Sequence, residues 1–315
     1  QMEGADTWQQ LDLPAALKAC PTYQNFCTNG LSHHSLGLCD EAGKPCASAT
    51  PYLKVEPVAV PVLPFSEGVY DYQVYASKPL KTLVPLEVVF RFGVPEGSSL
   101  LQRTSDADYC RAIGLADAPQ PGERFEQPII EYSTKLESSD RYISYADAQH
   151  VAGLSDTEFN TLHDTVQLLA LHVKSIFARC NVELWDGKFE FSFAPQTNAD
   201  GSRQFWIVDS IGPDELRLTY HGVQLSKENL RRFYRDSEWH QAIDLAKHLA
   251  ADRGVSDWKG ICEGELSAVP LPLSANVKEA SEMMYKTIAN ELSKACDGQE
   301  SFPGAWDFDT LIHKI

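Results

Sequence analysis

The chain has 315 residues, of which 43% are hydrophobic and 23% are charged. These are globular proportions, which exclude a disordered or fibrous chain and allow a sizeable core without disulfide staples. With 44 acidic and 27 basic residues the net charge is −17, so general binding to nucleic acid, itself a polyanion, is disfavoured. No apolar run approaches the roughly 18 residues of a membrane span, and residues 1–30 lack a basic stretch leading into an apolar one. We therefore expect a folded cytoplasmic protein with no membrane partner.

The first fifth of the chain contains four of the eight cysteines, in two pairs with two histidines between them: Cys20, Cys27, His33, His34, Cys39 and Cys46. Paired zinc ligands are normally separated by about two to four residues, whereas six residues separate the members of each pair here. The spacing therefore favours plain thiols in a reducing compartment over a zinc site. Repeated prolines in residues 55–64 block regular strand pairing, so we expect irregular or sheet-edge structure up to about residue 65.

Three segments rich in β-branched and aromatic residues predict strands, at residues 69–74, 83–92 and 128–133. A charged loop, residues 135–141, follows the third strand. Ser155 and Glu158 form a capping box, and apolar residues then recur every three to four positions as far as Phe177, which predicts a long amphipathic helix packed on the sheet. The chain from about residue 227 reads as helices, with residues 275–295 the clearest.

The strand at residues 188–193 alternates three phenylalanines with Lys188, Glu190 and Ser192. Asp200 and Gly201 predict a turn that pairs this strand with residues 205–209. A two-residue turn places Asp209 opposite Ser192 and diagonal to Glu190, so that two carboxylates converge as a candidate Mg²⁺ seat. The alternative is a solvated strand face on which Lys188 pairs with Glu190, and periodicity alone favours that alternative.

Six segments, in order, resemble those of the SAICAR synthetase family. Residues 184–191 (LWDGKFEF) resemble the family's (V/L)D-x-K-x-E-F segment, and residues 209–218 (DSIGPDELRL) resemble its D-E-x-x-P-D-x-x-R segment. Further matches occur at residues 84–91, 97–103, 128–140 and 225–231. The resemblance covers roughly residues 84–235, and it favours a metal seat over a solvated face for Glu190 and Asp209.

The resemblance implies an α+β, SAICAR-synthetase-like two-lobe fold (ATP-grasp-like), with antiparallel sheets and packed helices. The smaller β-rich lobe would be residues 1–90, with an atypical Cys- and Pro-rich start, and the larger α/β lobe residues 91–315, with a helical C-terminal extension. The implied activity is an ATP- and Mg²⁺-dependent ligase of purine biosynthesis. It would join the carboxylate of an aminoimidazole ribotide to the amine of aspartate through an acyl phosphate. The implied partners are these small molecules, and a homo-oligomer is possible.

The resemblance also assigns roles to residues. Glu190 and Asp209 would hold Mg²⁺ with the nucleotide phosphates, and Lys81 would approach the nucleotide. Asp186 and Lys188 would be catalytic. The residues expected to bind the ribotide or the second substrate are Arg91, Ser98, Ser99, Asp140 and Arg217.

The chain departs from the family pattern in ways that leave other functions open. The Gly- and Lys-rich hairpin that covers the nucleotide phosphates is not found in residues 1–83, Ser210 replaces an acidic residue, and Arg141 replaces a proline. One alternative is a diverged carboxylate–amine ligase with another pair of substrates. The other is a non-catalytic ribotide-binding or scaffold protein.

Overall fold

The computed structural model describes residues 5–314 and is built around a seven-stranded antiparallel sheet. In this part of the chain the strands are β1 Ser35–Cys39, β2 Tyr52–Val55, β3 Phe65–Ser66, β4 Val69–Tyr70, β5 Leu83–Gly93, β6 Arg124–Thr134, β7 Tyr142–Ile143, β8 Glu183–Thr197, β9 Arg203–Val208, β10 Leu216–Tyr220 and β11 Val223–Gln224. The helices are α1 Ala5–Gln9, α2 Ala15–Ala19, α3 Pro21–Asn29, α4 Gln73–Ala76, α5 Leu100–Arg103, α6 Ala107–Ala112, α7 Tyr145–Val151, α8 Asp156–Ala178, α9 Lys227–Arg231, α10 Glu238–Arg253, α11 Trp258–Gly260, α12 Ala275–Asp297 and α13 Phe308–Ile312, and a π-helix spans Ile261–Glu265. Mixed helices and antiparallel strands confirm the predicted α+β class.

The central sheet has the strand order β11-β10-β8-β5-β6-β7, and β9 also pairs with β8. One edge of β8 pairs with β5. Its other edge pairs first with β10, as far as Gly187, and then with β9, from Glu190 onward. The connection between β9 and β10, residues 209–215, therefore runs beside the middle of β8, at Lys188.

The two faces of the sheet differ in chemistry because side chains alternate along each strand. Phe189, Phe191 and Phe193 are buried in one apolar cluster with residues of α8, which packs on this face. The predicted alternation is thus confirmed. The intervening residues of β8, among them Lys188 and Glu190, lie on the opposite face, which is free to form a polar site.

Helix α8 begins as predicted, since the side chain of Ser155 accepts from Glu158 N and that of Glu158 accepts from Ser155 N. Glu158 also holds Arg203 of β9: its carboxylate accepts from Arg203 N at 2.8 Å, from Nε at 2.9 Å and from Nη2 at 3.0 Å. Both side chains are almost fully buried. This ion pair therefore ties the start of α8 to the β8–β9 hairpin.

The hairpin forms, but the predicted register is wrong. Val208 lies opposite Glu190, and Trp206, not Asp209, lies opposite Ser192. The pairing is irregular between Phe193 and Thr197, so the hairpin does not close through a regular two-residue turn. Asp209 consequently lies one residue beyond β9, where its φ of 64° ends the extended conformation.

The N-terminal region contains three short helices where irregular or sheet-edge structure was expected. Trp8, Tyr23 and Phe26 are buried in the main core. After α3 the chain does extend the sheet: Ile207 N donates to Ser32 O, and His34 N donates to Ile207 O. The predicted strand at residues 69–74 is replaced by the short β4 followed by α4.

The regular elements from residue 227 to residue 314 are helices, as predicted, and α12 spans Ala275–Asp297. The predicted lobe boundary between residues 90 and 91 falls inside β5, and the division into two lobes stays a prediction. None of the helices in residues 5–314 is both long and apolar enough to cross a bilayer.

Replacing Glu158 by Gln should destabilise the protein by about 3–5 kcal/mol at pH 7, because the charge of Arg203 stays buried without its carboxylate. Burial opposes ionisation of Glu158, but the hydrogen bonds from Arg203 and Ser155 outweigh it and lower its pKa to about 2. This lowered pKa stabilises the native state above the unfolded-state pKa of about 4.3, and the stabilisation is lost as the pH falls toward about 2. Urea unfolding at several pH values should show a shallower acid loss in Glu158→Gln.

The matched control is Asp108→Asn, which removes an exposed partner of Arg111 and should change the free energy of unfolding by less than about 1 kcal/mol. Equal, small losses in both variants would contradict the structural role of Glu158.

Candidate functional site

A polar cleft of about 380 Å³ opens on the face of the sheet opposite α8. Strands β5, β8 and β10 form its floor, and α9 and the charged loop at residues 135–141 contribute to its rim. Of the residues singled out from the sequence, it is lined by Arg91, Ser99, Asp140, Asp186, Lys188 and Arg217. The fold thus brings six of the ten together, from segments far apart in the chain.

One end of the cleft is an arginine cluster built on a cross-strand row. Asp186 of β8 lies opposite Arg217 of β10 on one side and opposite Arg91 of β5 on the other. Its Oδ2 accepts from Arg91 Nη1 at 2.8 Å and from Arg217 Nη1 at 2.9 Å. Glu131 of β6 completes the cluster by accepting from Arg91 Nε at 2.5 Å and from Arg103 Nη2 at 2.6 Å.

Burial separates the roles of the two arginines that were predicted to bind substrate. The side chain of Arg91 is 5% exposed, whereas that of Arg217 is 25% exposed. Burial works against the charge of Arg91, but Glu131 and Asp186 outweigh it and raise its pKa. Three arginines face two carboxylates in this cluster, so a positive charge is in excess, and Arg217 presents it to the cleft.

The other end is a lysine cluster around two opposed carboxylates. Glu87 of β5 lies directly opposite Glu190 of β8, a like-charged pair that would be unfavourable alone. Lys135 Nζ donates to Glu87 at 2.9 Å and to Glu190 at 2.8 Å, and Lys188 Nζ also contacts both. Burial favours the neutral form of Glu87, but the two lysines prevail and lower its pKa.

The connection between β9 and β10 adds two more carboxylates to this cluster. Lys188 Nζ lies 3.0 Å from Glu215 Oε2 and 3.7 Å from Asp209 Oδ2. Desolvation disfavours the Lys188 ammonium, but its carboxylate neighbours outweigh this effect and raise its pKa. Lys227 Nζ also lies 3.7 Å from Glu215 Oε1, so four carboxylates face three lysines and this end of the cleft carries one negative charge in excess. Although the predicted register was wrong, Asp209 and Glu190 both contact Lys188, because the end of β9 lies beside this lysine.

Close packing at the centre of the cleft floor requires glycine at position 187. A Cβ there would lie 2.6 Å from Leu216 Cδ2, 2.7 Å from Phe90 Cζ and 2.9 Å from Glu215 O. Contacts this short with a backbone oxygen cannot be relieved by a side-chain rotation. Gly187 thereby allows residues 215–216 to approach β8, which sets the carboxylate of Glu215 against Lys188.

The acidic end suits a hard divalent cation bound together with phosphate. Among residues 5–314, no three His, Cys, Asp or Glu side chains are arranged to hold a metal by themselves. Mg²⁺ typically takes only one or two carboxylates and completes its shell with phosphate oxygens and water. Glu190 and the half-exposed Asp209 offer such a pair. The donor chemistry and the excess negative charge therefore fit the metal.

Four predicted residues, Ser98, Lys81, Glu190 and Asp209, are not among those that line the cleft, although Glu190 and Asp209 both contact Lys188, which does. Ser98 is buried and its Oγ accepts from Leu100 N at 3.4 Å, whereas Ser99 reaches the cleft, which separates two serines that the sequence left equivalent. Lys81, which lies just before β5, forms an ion pair with Glu56. Asp140 reaches the rim, where partial burial and then the charge of Glu87 raise its pKa.

Sequence reasoning missed Glu87, Arg103, Glu131, Lys135 and Glu215 as members of the two clusters. All five occur in segments quoted for the family resemblance, and two of them, Glu87 and Glu131, lie on strands. The alternation of side chains places Glu87 and Glu131 on the same face as Arg91, which was the available signal. The eight cysteines are free thiols.

Comparison with known proteins gives consistent matches. The SAICAR synthetase family profile matches residues 70–245. A putative phosphoribosylaminoimidazole-succinocarboxamide synthase of Archaeoglobus fulgidus is 34% identical over 225 residues, which are 71% of this chain and 62% of that protein. The phosphoribosylaminoimidazole-succinocarboxamide synthase of Thermoplasma acidophilum is 27% identical over 222 residues, which are 66% of this chain and 68% of that protein. This chain thus spans less than two thirds of the length of the A. fulgidus relative.

The matching solved structures of SAICAR synthetases are less similar to this chain in sequence than these two relatives are. A type-2 SAICAR synthetase in complex with ADP is 22% identical, with a TM-score of 0.42 and coverage of 64% of each chain. The SAICAR synthase of Saccharomyces cerevisiae complexed with SAICAR is 16% identical, with a TM-score of 0.45 and coverage of 94% of this chain and 79% of that one.

The two arginines of the cleft should differ in their effect on stability. Arg91→Met should lower the free energy of unfolding by about 3–5 kcal/mol, because it leaves Glu131 buried with one partner fewer. Arg217→Met should cost about 1 kcal/mol or less, since Asp186 keeps Arg91 and the lost side chain is partly solvated. Urea unfolding of both variants provides the measurement, with the exposed Arg111→Met as the control. Equal losses at positions 91 and 217 would show that Arg217 is structural too.

Proposed function

This chain belongs to the SAICAR synthetase family, and we propose that it is an ATP- and Mg²⁺-dependent ligase of purine biosynthesis. Its substrates are an aminoimidazole ribotide, whose carboxylate is activated, and aspartate, whose amine forms the new amide. The product is SAICAR. The observation that carries this proposal is the separation of charge along one cleft, with excess arginine at one end and excess carboxylate at the other.

We assign the acidic end to the nucleotide and its metal. Glu190 and Asp209 would hold Mg²⁺, and Lys188 balances the remaining carboxylates around them. When bound, Mg²⁺ neutralises charge on the nucleotide phosphates. Lys81 remains a candidate for nucleotide contact, because it lies immediately before β5 and its side chain is 43% exposed.

We assign the basic end to the ribotide. The guanidinium of Arg217 is open to the cleft and matches a phosphate with two parallel donors. Ser99, at the start of α5, lies on the same wall and supplies a hydroxyl. Asp186 fixes the orientation of Arg217, and Arg91 in turn fixes Asp186, so the donors need no rearrangement when the anion binds.

The chemistry requires positioning more than covalent help from the protein. The terminal phosphoryl group of ATP passes to a carboxylate oxygen of the ribotide, and ADP leaves. The amine nitrogen of aspartate then attacks the acyl carbon, the bond from that carbon to the phosphate oxygen breaks, and phosphate and a proton are released. A cleft that holds phosphates at both ends aligns the carboxylate between them and cancels their charge.

The charge of the second substrate suggests where it binds. Aspartate brings two carboxylates, and Lys227 and Arg231 of α9 line the same cleft, where they pair with Glu215 and Glu228. Both belong to the segment at residues 225–231 that was recognised in the sequence. Asp140, which also lines the cleft, would contact the ammonium group of aspartate or a hydroxyl of the ribotide.

A diverged ligase with another substrate pair is the second candidate. Ser210 stands beside the proposed metal ligand Asp209 where the family segment has an acidic residue, and Arg141 follows Asp140 on the rim. Both changes make the surroundings of the cleft less acidic, which would suit substrates of different charge.

The direct test is to incubate the protein with ATP, Mg²⁺, carboxyaminoimidazole ribotide and aspartate and to measure ADP and SAICAR by mass spectrometry. Formation of both products supports the proposal. ADP without SAICAR would identify the diverged ligase. Neither product, with nucleotide binding also undetectable, would identify a non-catalytic ribotide-binding protein.

The metal assignment predicts that Glu190→Gln and Asp209→Asn each lower kcat by about 100-fold or more, because each removes a charge from the metal seat. The double variant should be little slower than either single one, since ligands of one ion act as a unit. Ribotide binding without ATP, measured by calorimetry, should stay within about twofold of the parent, because it depends on the distant arginine cluster.

Arg217→Met is the matched control with the opposite pattern. It should weaken ribotide binding by about 1.5–3 kcal/mol and leave ATP affinity nearly unchanged. ATP turnover within a few fold of the parent in Glu190→Gln and Asp209→Asn would refute the metal assignment.

A further inference from the structure

Residues 238–268 form a small helical module with a core of its own. It contains α10, α11 and the π-helix, and Ala246, Ala250, Ile261 and Cys262 are buried together inside it, in a cluster separate from the main core. Most of the module lies beyond residue 245, where the family match ends. Neither the sequence motifs nor the proposed chemistry assigns it a role.

Trp258 begins α11 and packs, partly buried, against the core of the module. Asp257 caps this turn by accepting from Gly260 N at 2.8 Å, and a Cβ at position 260 would lie 2.3 Å from the Asp257 carboxylate. The π-helix follows directly. This conformation is rare in proteins, and where it does occur it often lies at a functional site. Lys247 of α10 lies 5.2 Å from the centre of the Trp258 ring. The indole thus lies between the core of the module and the charged loop.

The indole reaches the charged loop at residues 135–141. Trp258 Nε1 donates to Ser138 O at 3.1 Å. From the other side, Ser138 N donates to the hydroxyl of Tyr70 at 3.0 Å, and the hydroxyl of Tyr72 donates to Glu137 at 2.7 Å. The middle of the loop is therefore gripped between the helical module and the segment around β4.

The gripped loop carries residues of the cleft at both of its ends. Lys135 bonds to Glu87 and Glu190 in the lysine cluster, and Asp140 lines the cleft rim. Movement of the loop would displace one of the lysines that separate the two opposed carboxylates and would also displace Asp140.

We propose that Trp258 is a positioning residue, which fixes the charged loop through Ser138 so that Asp140 and Lys135 keep their places in the cleft. The effect on catalysis rests on the proposed function, whereas the effect on the loop does not. A cavity of about 640 Å³ separates much of the module from α9 and is lined by Trp239, Trp258 and Lys247. The hydrogen bond from Trp258 to Ser138 connects the module to the charged loop.

The test compares Trp258→Phe, which keeps a ring but removes the donor, with Trp239→Phe, which alters the same small core but has no described hydrogen bond to the loop. Hydrogen–deuterium exchange of peptides covering residues 135–141 should be about fivefold faster in Trp258→Phe and unchanged in Trp239→Phe. Tyr70→Phe removes the grip on the other side of Ser138 and should give a similar increase in the same peptides.

Steady-state kinetics separate positioning from general damage. In Trp258→Phe the KM for the ribotide and the KM for ATP should each rise about fivefold, because the loop supplies Asp140 at the rim and Lys135 at the nucleotide end, while kcat stays within about twofold. Unchanged loop exchange in Trp258→Phe, equal effects in Trp239→Phe, or faster exchange with no change in the KM for the ribotide would each overturn the proposal. If the parent protein forms no product, the proposed function fails, and the exchange comparison still decides whether Trp258 holds the loop.

Discussion

The cleft depends on the way that β8 changes its neighbour along one edge. β10 pairs with the first part of the strand and β9 with the last part, so the connection between them must pass beside Lys188. That passage brings Asp209 and Glu215 to a lysine already in contact with Glu190 and Glu87. Gly187 permits the approach, since any side chain there would collide with residue 215 or 216.

Burying so many charges is costly, because each ion loses its hydration and recovers it only through well-placed partners. Both clusters bury charged groups at this cost, but the formal charges within each cluster do not cancel. The arginine cluster has a cation in excess and the lysine cluster has carboxylates in excess, a pattern that a purely structural network would not need. Ligands of opposite charge would complete both ends, and the proposed ribotide and metal-bound nucleotide would supply them.

Segments outside the family match support the cleft from a distance. The N-terminal helices bury Trp8 and Phe26 against the core around α8, and residues 32–34 cover the edge of β9. The helical module reaches the opposite rim through Trp258. The segments that resemble the family are thus framed by elements outside the family match, which pack against the core and contact the charged loop.

The sequence by itself determined what depends on neighbouring residues. The capping box at Ser155, the apolar spacing of α8, the alternating phenylalanines of β8 and the ordered family segments were all readable, because each is a local pattern. The register of the hairpin could not be read from the sequence. The pairing is irregular between Phe193 and Thr197, which shifts the cross-strand neighbours from Phe193 to Glu190, and no local pattern in the sequence marks such an irregularity. Which lysine meets which carboxylate, and the bond from Trp258 to Ser138, join residues distant in the chain. Such contacts were decided only by the tertiary structure, because they depend on how separately formed elements pack together.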